Sequence, residues 1–411
     1  NSSGWTAPCN VAGTVGNLPA SGVPVVIGER SAVAMSVNIP ANYAATAASV
    51  TIGSTLTTCP TLPDDSKNLT LAASTSSLTV GGNLAICRQG NGVTSTLSIG
   101  AGTVTVSGNI TLGGTTGGRN TDITISTGTL TVTGNLTPAG ANSRITFSGG
   151  GAINVGGNFA SGGAFTASTG TVVYNGTGTQ AIAAYSYNNL TINKTAGTAT
   201  TGANITVGNN LTITQGTLNL ANRDANGGGT GTLSLGSGAV LQIAQGNYFP
   251  SGYAFESFNA NSTVEYNATF PQTVAIKAYG HLKLSGTDNK FLSPGGGTTT
   301  LTGNLTTTDT AIAEASGYLI IQGNVSFAAN TSFTPNAYTV TMSGTSAQSI
   351  GGGVASISFN NLTINNNSAS VTANVNLSIA GNFTNTAGFS AGTTTTTFNG
   401  TTAQAIGGAT A

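Results

Sequence analysis

The residue types that carry acid–base, nucleophilic or metal chemistry are few in this sequence and are scattered along it. Its 411 residues include ten Asp or Glu, three Cys and one His. Glycan hydrolysis requires paired carboxylates, and a structural zinc site requires four Cys or His ligands at short spacings. Only Asp64 and Asp65 are adjacent acids, and they follow Pro63 in what we interpret as a solvated turn rather than a metal or catalytic site. We therefore predict that the protein is not an enzyme and has no catalytic residue, no metal site and no cofactor.

Three further motifs have a chemical and a structural interpretation. Residues 388–392 place Ser390 in a nucleophile-elbow pattern, which requires an acid and then a histidine later in the chain, and neither follows. His281 alternates with Leu282 in a strand pattern, so it is expected to face solvent or a lateral contact. Residues 227–229 are glycines without the Lys-Ser/Thr of a phosphate loop. We interpret these motifs as a turn, an outward side chain and a flexible insertion.

The composition excludes several partners. Charged residues are 5% of the chain, compared with about 25% in ordinary soluble domains, and the net charge is zero. No basic cluster indicates nucleic acid or an anionic membrane, and no apolar run is long enough for a membrane-spanning helix. No charged residue follows Glu314, so we expect that surface to carry glycans or to be covered by another copy. Glycosylation sequons occur at Asn68, Asn109, Asn135, Asn304 and Asn324.

A short repeat predicts the fold. Pairs of apolar/polar alternations are followed by a Gly-Asn or Asn-Asn step, which recurs every 23–26 residues between Asn83 and Asn158, again at Asn210, and with less regular spacing at Asn304, Asn324 and Asn382. Strands this short become stable when each lies parallel to its equivalent one repeat away. We predict an all-β fold, a parallel β-helix (β-solenoid) of about 16 coils, and a ladder of equivalent corner asparagines. The predicted ladder contains Asn83, Asn109, Asn135, Asn158 and Asn210.

A longer phrase occurs four times and ends in Gln-x-Ile or Gln-x-Val. Its copies begin at Tyr174, Tyr266, Met342 and Phe398. The first three continue into a second aromatic and an alternating strand, at residues 187–192, 279–284 and 359–364. The fourth copy reaches Ala411 without that strand, so we expect more chain or another subunit to supply it. The recurring aromatic position predicts a buried stack, with a carbohydrate-binding strip as the alternative.

The N-terminal segment differs from the rest of the chain. We predict an N-terminal cap or assembly segment at 1–66 and a solenoid at 67–411, with lateral insertions near 222–230 and 248–261 and an open C-terminal end. A weak pattern at residues 41–49 indicates a short helix. The chain starts with Asn1 and not with Met, which predicts removal of a leader or a fragment of a longer protein.

Cysteine spacing predicts one disulfide. Residues 50–59 align without gaps on residues 78–87, which places Cys59 and Cys87 at equivalent points of adjacent coils. Equivalent points are about 4.8 Å apart, within the range that a disulfide accepts. A Cys59–Cys87 bond implies an oxidising compartment and leaves Cys9 as a free or intermolecular thiol.

The phrases YNGTGTQAI, YNNLTIN, LTVTGNLT and FNGTTAQAI resemble the repetitive parallel β-helix surface proteins that many bacteria export, similar in style to filamentous haemagglutinin-like adhesins. The resemblance covers roughly residues 69–411. It implies secretion and a structural or adhesive role at the cell surface, and it carries no catalytic residue.

Our leading hypothesis is a non-enzymatic extracellular structural protein, a subunit that associates with itself head to tail into a filament by strand completion. The open end of a solenoid exposes unpaired strand edges, and the N-terminal segment of a neighbour is a candidate donor strand. The predicted interface contains Trp5, Cys9, Phe398, Asn399, Gln404 and Ile406. The alternative is a stalk or passenger fragment of a large adhesin, and a polysaccharide-active β-helix enzyme is a lesser one.

Overall fold

The computed structural model describes residues 22–27, 35–53, 66–87, 94–113, 120–244, 249–308 and 312–408. These residues form a parallel β-solenoid of about 16 turns, as the repeat predicted. Among them, no helix is long and apolar enough to cross a membrane. The chain divides into two compact units.

The first unit contains the described residues of Asn1–Thr212, Ala225–Thr232 and Gly252–Phe255. Its strands are short, because Gly- and Asn-containing corners interrupt the alternation every few residues. The strands in this part of the chain are β1 (Pro24–Ile27), β2 (Met35–Ile39), β3 (Ala44–Ala47), β4 (Ser49–Ile52), β5 (Lys67–Leu71), β6 (Ser77–Val80), β7 (Leu84–Ile86), β8 (Thr94–Ile99), β9 (Thr103–Val106), β10 (Ile110–Leu112), β11 (Asn120–Ile125), β12 (Thr129–Val132), β13 (Leu136–Pro138), β14 (Ser143–Phe147), β15 (Ala152–Val155), β16 (Ala164–Thr166), β17 (Thr171–Tyr174), β18 (Gln180–Ile182), β19 (Ser186–Tyr187), β20 (Asn189–Thr201), β21 (Ile205–Val207), β22 (Leu211–Asn219), β23 (Ala225–Gly227) and β24 (Thr232–Leu235).

The second unit contains the described residues of Ile213–Asp224, Leu233–Ser251 and Glu256–Ala411. One short 3₁₀ turn, Pro294–Gly296, interrupts its strands. The remaining strands are β25 (Val240–Ile243), β26 (Phe255–Phe258), β27 (Thr263–Tyr266), β28 (Gln272–Thr273), β29 (Ala278–Tyr279), β30 (His281–Leu284), β31 (Asn289–Leu292), β32 (Thr298–Leu301), β33 (Leu305–Thr307), β34 (Ile312–Ala315), β35 (Tyr318–Ile321), β36 (Val325–Phe327), β37 (Ser332–Thr334), β38 (Thr339–Met342), β39 (Gln348–Gly352), β40 (Ser356–Phe359), β41 (Asn361–Ile364), β42 (Ser370–Ala373), β43 (Asn376–Ile379), β44 (Phe383–Asn385), β45 (Gly388–Ser390), β46 (Thr396–Phe398) and β47 (Ile406–Gly407).

The core of each unit consists of columns of inward side chains from successive coils. Parallel strands place residues in register one coil apart, and alternation sends every second side chain inward. Each buried aliphatic side chain contributes about 1.5–3 kcal/mol relative to exposure. One column of the first unit is formed by Leu78, Val104, Leu130, Ile153, Val172 and Leu190. One column of the second unit is formed by Tyr279, Leu301, Ile321, Met342 and Ile364.

Parallel strands of the solenoid also lie within residues 1–66, the segment expected to form a modified N-terminal cap. Strand β1 pairs with β4, β2 with β5 and β3 with β6, all in parallel register. The prediction of a short helix at residues 41–49 is wrong, because this segment contains β3 and the start of β4. Ala45 and Ala47 face inward, in register with Leu78 and Val80, so tertiary pairing overrides the helical preference of alanine.

The two expected insertions contain coil strands. Strand β23, within residues 222–230, pairs in parallel with β21. Strand β26 lies within residues 248–261, of which residue 248 is outside the described part. The strands in these stretches are only three or four residues long and lie next to turn-forming glycines, so the alternation pattern was too short to indicate them.

The alignment behind the predicted disulfide is wrong. Val50 is in register with Leu84 and not with Leu78, so the step from this strand to the next coil is longer than the gapless alignment assumed. The Cys87 N–H donates to the Ile52 carbonyl, so the side chain of Cys87 is buried one coil away from the position of Gly53. The gapless alignment failed because each coil carries several similar alternations, and residues 78–80 belong opposite β3. Cys59 and Cys9 lie outside the described residues, so their pairing stays a prediction.

Candidate functional site

The corner asparagines of the first unit form a series of side-chain-to-backbone hydrogen bonds. The Oδ1 atom of Asn83 accepts from the N–H of Asn109 at 2.8 Å, and Asn109 and Asn135 repeat this contact on the next coils. Asn158 ends this run by accepting from the Ala181 N–H. Asn210 belongs to a second run, in which its N–H donates to Asn189 and its Oδ1 accepts from the Thr232 N–H. Each asparagine thus satisfies an N–H group at a corner, where the strand ladder is interrupted.

Histidine replaces asparagine at one corner of the second unit. The Nδ1 atom of His281 accepts from the Asn304 N–H at 2.9 Å, and Asn304 in turn accepts from the Asn324 N–H. His281 occupies the position that Asn189 and Asn361 hold in the other copies of the phrase. Alignment of the phrase was the signal that identifies this role, which sequence reasoning missed. Because partial burial lowers the pKa of His281, its imidazole is favoured in the neutral form that can accept this bond.

The glutamine of the repeated phrase clamps its own turn to the preceding coil. The Oε1 atom of Gln180 accepts from the Gly176 N–H at 2.9 Å, while its Nε2 donates to the Val155 carbonyl at 2.9 Å and also to that of Gly157. Gln272, Gln348 and Gln404 make the equivalent contacts, with Oε1 accepting at 2.8–2.9 Å from the N–H four residues earlier. The four copies therefore share one local structure.

In the first three copies, a donor from a later segment also covers this turn. Lys194 donates from Nζ to the Gly176 carbonyl at 2.5 Å, the Gly178 carbonyl at 2.8 Å and Gln180 Oε1 at 2.7 Å. Asn366 donates to the Ser346 carbonyl at 2.6 Å and to Gln348 Oε1 at 3.0 Å. Both donors are 1% exposed. The next coil buries these carbonyl and amide oxygens away from water. Lys194 and Asn366 therefore supply the hydrogen bonds that water would otherwise donate to them.

The second copy uses a lysine from a different position. Lys290 donates to the Ala268 carbonyl at 2.9 Å and to the Thr287 carbonyl at 2.8 Å. Its side chain is fully buried, and this burial lowers the pKa of the ammonium group to about 8. The lowered pKa means that burial costs the ammonium group desolvation free energy, which the charge of Asp288 and the two carbonyl oxygens offset only in part.

The fourth copy has the same clamp but a different exposure. Phe398 is 37% exposed and Ile406 is 64% exposed. Their counterparts in the earlier copies are at most 3% exposed: Tyr174 and Ile182, Tyr266 and Val274, Met342 and Ile350. Within the described part of the chain, no donor contacts the carbonyls of Gly400 and Thr402 or adds to the contacts of Gln404 Oε1.

The strands of this last coil are paired on one side only among the described residues. Strand β45 pairs with β42, β46 with β43 and β47 with β44. Asn399, which follows β46, is exposed and its N–H donates to the Ile379 carbonyl. We call residues 388–407, which include β45, β46, β47 and the Gln404 turn (residues 400–404), the open coil. The N–H and C=O groups of this coil that no described residue pairs, together with its exposed apolar side chains, are what an added strand requires.

The recurring aromatic position of the phrase is buried in the first three copies, at Tyr174, Tyr266 and Met342. Each of these side chains lies in register with aliphatic residues of its neighbouring strands and not with the others, so burial is confirmed and a stack of aromatic rings is not. In two copies the hydroxyl groups pair. Tyr174 and Tyr187 are 3.3 Å apart between their Oη atoms, and Tyr266 and Tyr279 are 3.2 Å apart. Burial raises the pKa of Tyr174 and of Tyr266 to about 12.

The acidic residues that the structure describes serve mainly as structural partners. Ion pairs join Asp122 to Arg144, Glu256 to Lys277 and Glu265 to Lys283. Burial alone would raise the pKa of Glu265, but hydrogen bonds from Gln242, Ser285 and Lys283 outweigh it and lower the pKa. No group of three or more His, Cys, Asp or Glu side chains with metal-binding geometry occurs in the described ranges.

The remaining candidate residues are not brought together. Ser390 lies on β45, exposed, and its Oγ accepts from the Gly392 N–H at 3.3 Å. Gly227 ends β23, and the two glycines after it continue into a turn. Asp64, Asp65 and Trp5 lie outside the described residues. Of the predicted assembly residues, the structure places Phe398, Asn399, Gln404 and Ile406 together on the open coil.

Comparisons with protein-family models, with curated proteins and with solved structures found no match to this chain. The candidate site therefore rests on the geometry of the open coil and on its three covered counterparts within the same chain.

Proposed function

We propose that this chain is a non-enzymatic, extracellular structural protein whose copies associate end to end by strand completion and form a filament. The observation that carries the proposal is the exposure of Phe398 and Ile406, at positions that every earlier copy of the phrase buries. Covering these side chains with another coil removes apolar surface from water and pairs the free edges of β45, β46 and β47.

The first described coil offers backbone edges for this pairing, but its strands carry no Lys or Asn two residues after their last inward residues, Ile27, Ile39 and Ala47. Strands β1, β2 and β3 each pair with one neighbour among the described residues, namely β4, β5 and β6. Parallel coils have a direction, so the edge of a first coil is complementary to the edge of a last coil. Stacking of this kind is heterologous and does not close, which favours a filament over a closed dimer.

The charge distribution supports association. Residues 315–411 contain no Asp, Glu, Lys or Arg, so two copies meeting at the open coil experience little like-charge repulsion. The N-terminal segment of the neighbouring copy, with Trp5 and Cys9, is the proposed source of additional contacts. Glycans at surface sequons and secretion to the cell exterior belong to the same proposal.

The test compares association of the wild-type chain with two matched variants. Ile406→Lys places a charge on the open coil, whereas Ile276→Lys places it at another exposed isoleucine, 44% exposed. We expect concentration-dependent polymers of the wild type and of Ile276→Lys in analytical ultracentrifugation, with filaments in electron micrographs, and monomers of Ile406→Lys. A wild type that stays monomeric at all concentrations, or an Ile406→Lys variant that polymerises normally, would contradict the proposal.

The alternative is that the chain is part of the stalk of a longer adhesin, since an uncovered edge also suits a following coil of the same polypeptide. The intact mass of the native protein distinguishes the two. A mass above that of the 411-residue chain plus its glycans favours the stalk, and filaments built from copies of the 411-residue chain favour the subunit.

A further inference from the structure

The turn of the open coil presents three oxygen acceptors that its counterparts use to bind a buried donor. We propose that the strand which covers the open coil carries an apolar residue on Phe398 and, two residues later, either a Lys that donates to the Gly400 carbonyl, the Thr402 carbonyl and Gln404 Oε1 or an Asn that donates to the last two. This inference rests on the proposed strand completion and adds the chemistry of the partner strand, which is an alternating apolar strand ending in a hydrogen-bond donor.

The first copy defines the geometry. Ile192 is in register with Tyr174, and Lys194, two residues later, reaches Gly176, Gly178 and Gln180. In the fourth copy Phe398 replaces Tyr174, and residues 400, 402 and 404 replace 176, 178 and 180. Both glutamines make the same two kinds of contact to their own turn and to the preceding coil.

The third copy repeats the arrangement with a neutral donor. Ile364 is in register with Met342, and Asn366, again two residues later, donates to the Ser346 carbonyl and to Gln348 Oε1. The requirement is therefore for a donor and not for a positive charge. An amide supplies two N–H groups and an ammonium three, which is why the lysine reaches one acceptor more.

The second copy shows that the donor is retained when the position changes. Leu284 is in register with Tyr266, but the residue two positions later is Gly286, which has no side chain to donate. Lys290, from the following strand and in register with Gln272, donates to the Ala268 carbonyl instead. Three different sequences thus place a buried donor over the same turn.

This recurrence has a physical reason. A covering strand takes the carbonyls of the turn and the glutamine oxygen out of water, and a buried acceptor without a partner is costly. A strand with only apolar side chains would bury Phe398 but would leave these oxygens buried without a hydrogen-bond donor. The donor therefore discriminates between a matching strand and any other apolar strand, in the manner of a specificity determinant.

The test uses synthetic peptides as covering strands for the full-length chain, at concentrations where that chain is monomeric. One peptide has the sequence of residues 187–194 and the other that of residues 359–366, which end in Lys194 and Asn366. The matched controls are the same peptides with Lys194→Leu and Asn366→Leu. Binding is measured by fluorescence anisotropy of a labelled peptide.

We expect both donor peptides to bind and both leucine peptides to bind about tenfold to a hundredfold more weakly. The Gln404→Leu chain removes one acceptor, so the difference between donor and leucine peptides should shrink on it. Equal binding of donor and leucine peptides to the wild type overturns the inference, as does the absence of binding by either donor peptide up to about 1 mM.

The outcomes separate this inference from the proposed function. Donor-dependent peptide binding by a chain that never forms polymers supports the inference and contradicts the filament. Polymers that form normally while the peptides show no donor preference support the filament and overturn the inference.

Discussion

His281 Nδ1 accepts a hydrogen bond from the backbone N–H of Asn304 at 2.9 Å, at a corner where the other copies of the phrase use an asparagine oxygen. Imidazole nitrogen and amide oxygen are thus equivalent acceptors at this corner. The only histidine of the chain has a structural role that its chemistry makes dependent on pH.

The corner predicts how substitutions of His281 behave. His281→Asn retains an acceptor for Asn304 and should leave the free energy of unfolding nearly unchanged, whereas His281→Ala should reduce it by about 1 kcal/mol. Denaturant unfolding at pH 8 measures both variants. Equal destabilisation by Asn and Ala would contradict the acceptor role.

The same residue predicts an acid-sensitive contribution. Because burial lowers the pKa of His281 below 6.5, the unfolded chain takes up this proton first as pH falls. The contribution of His281 to stability is therefore complete above pH 6.5 and is lost as pH falls through the folded pKa. As pH falls below 6.5, the difference in unfolding free energy between the wild type and His281→Asn should grow. A difference that does not change with pH would contradict the pH-dependent contribution of His281.

The asparagine ladder predicts a local loss of stability on truncation. Asn109→Ala leaves the Asn135 N–H without its side-chain acceptor and should lower the free energy of unfolding by about 0.5–1.5 kcal/mol. The exposed Thr111, on the outward face of β10, is the matched control, and Thr111→Ala should change stability by less than about 0.5 kcal/mol. Amide hydrogen exchange at Asn135 should accelerate in Asn109→Ala alone.

The buried ammonium of Lys290 predicts a gain of stability on alkalinisation. Its pKa is lowered from 10.5 to about 8, so between these values the unfolded chain binds more protons than the folded one. Stability should rise with pH in this window, by about 1–2 kcal/mol between pH 7.5 and 9.5.

The Lys290→Met variant is the control for this window. It lacks the titrating group, so the rise should be absent in denaturant titrations of Lys290→Met between pH 7.5 and 9.5. A variant that gains as much stability as the wild type would show that another group causes the rise.

The tyrosine pairs predict a loss of stability at higher pH. Burial raises the pKa of Tyr174 and Tyr266 to about 12, whereas the unfolded chain ionises near 10, so folded stability is lost as pH rises from 10 through 12. Tyr266→Phe removes one of these groups and should flatten the decline, although it costs about 1 kcal/mol at pH 7 by leaving the Ala275 N–H unpaired.

Thermal unfolding followed by circular dichroism between pH 10 and 12 measures this decline in the wild type and in Tyr266→Phe. A decline of the same slope in Tyr266→Phe would contradict the assignment.

Alternation and repeat length alone were sufficient to predict the parallel β-solenoid and the run of corner asparagines from Asn83 to Asn158. Asn210, expected in the same ladder, belongs to a second run that starts at the unpredicted corner Asn189. Period-2 alternation decides which side chains face inward, and a repeat of constant chemistry decides which residues are stacked. The same reasoning predicted that the fourth copy lacks its following strand, and Phe398 and Ile406 are exposed there, whereas their role in an interface stays a prediction.

Sequence reasoning failed where several local patterns were equally good. Residues 50–52 match both 78–80 and 84–86 in alternation, and only the stacking of whole coils selects the second. Alanines at 44–47 are compatible with helix or strand, and the partners Leu78 and Val80 select the strand.

The sequence by itself determined the coil, its inward columns and its corner ladder, because these follow from local periodicity repeated along the chain. Only the tertiary structure decided that the glutamines clamp turns, that Lys194, Lys290 and Asn366 cover them from different positions, and that Phe398 and Ile406 stay exposed. Most of these contacts join residues that are far apart in the sequence and lie on adjacent coils, such as Lys194 with Gln180 and Gln272 with Ile243. Their geometry depends on how coils stack and not on any single strand.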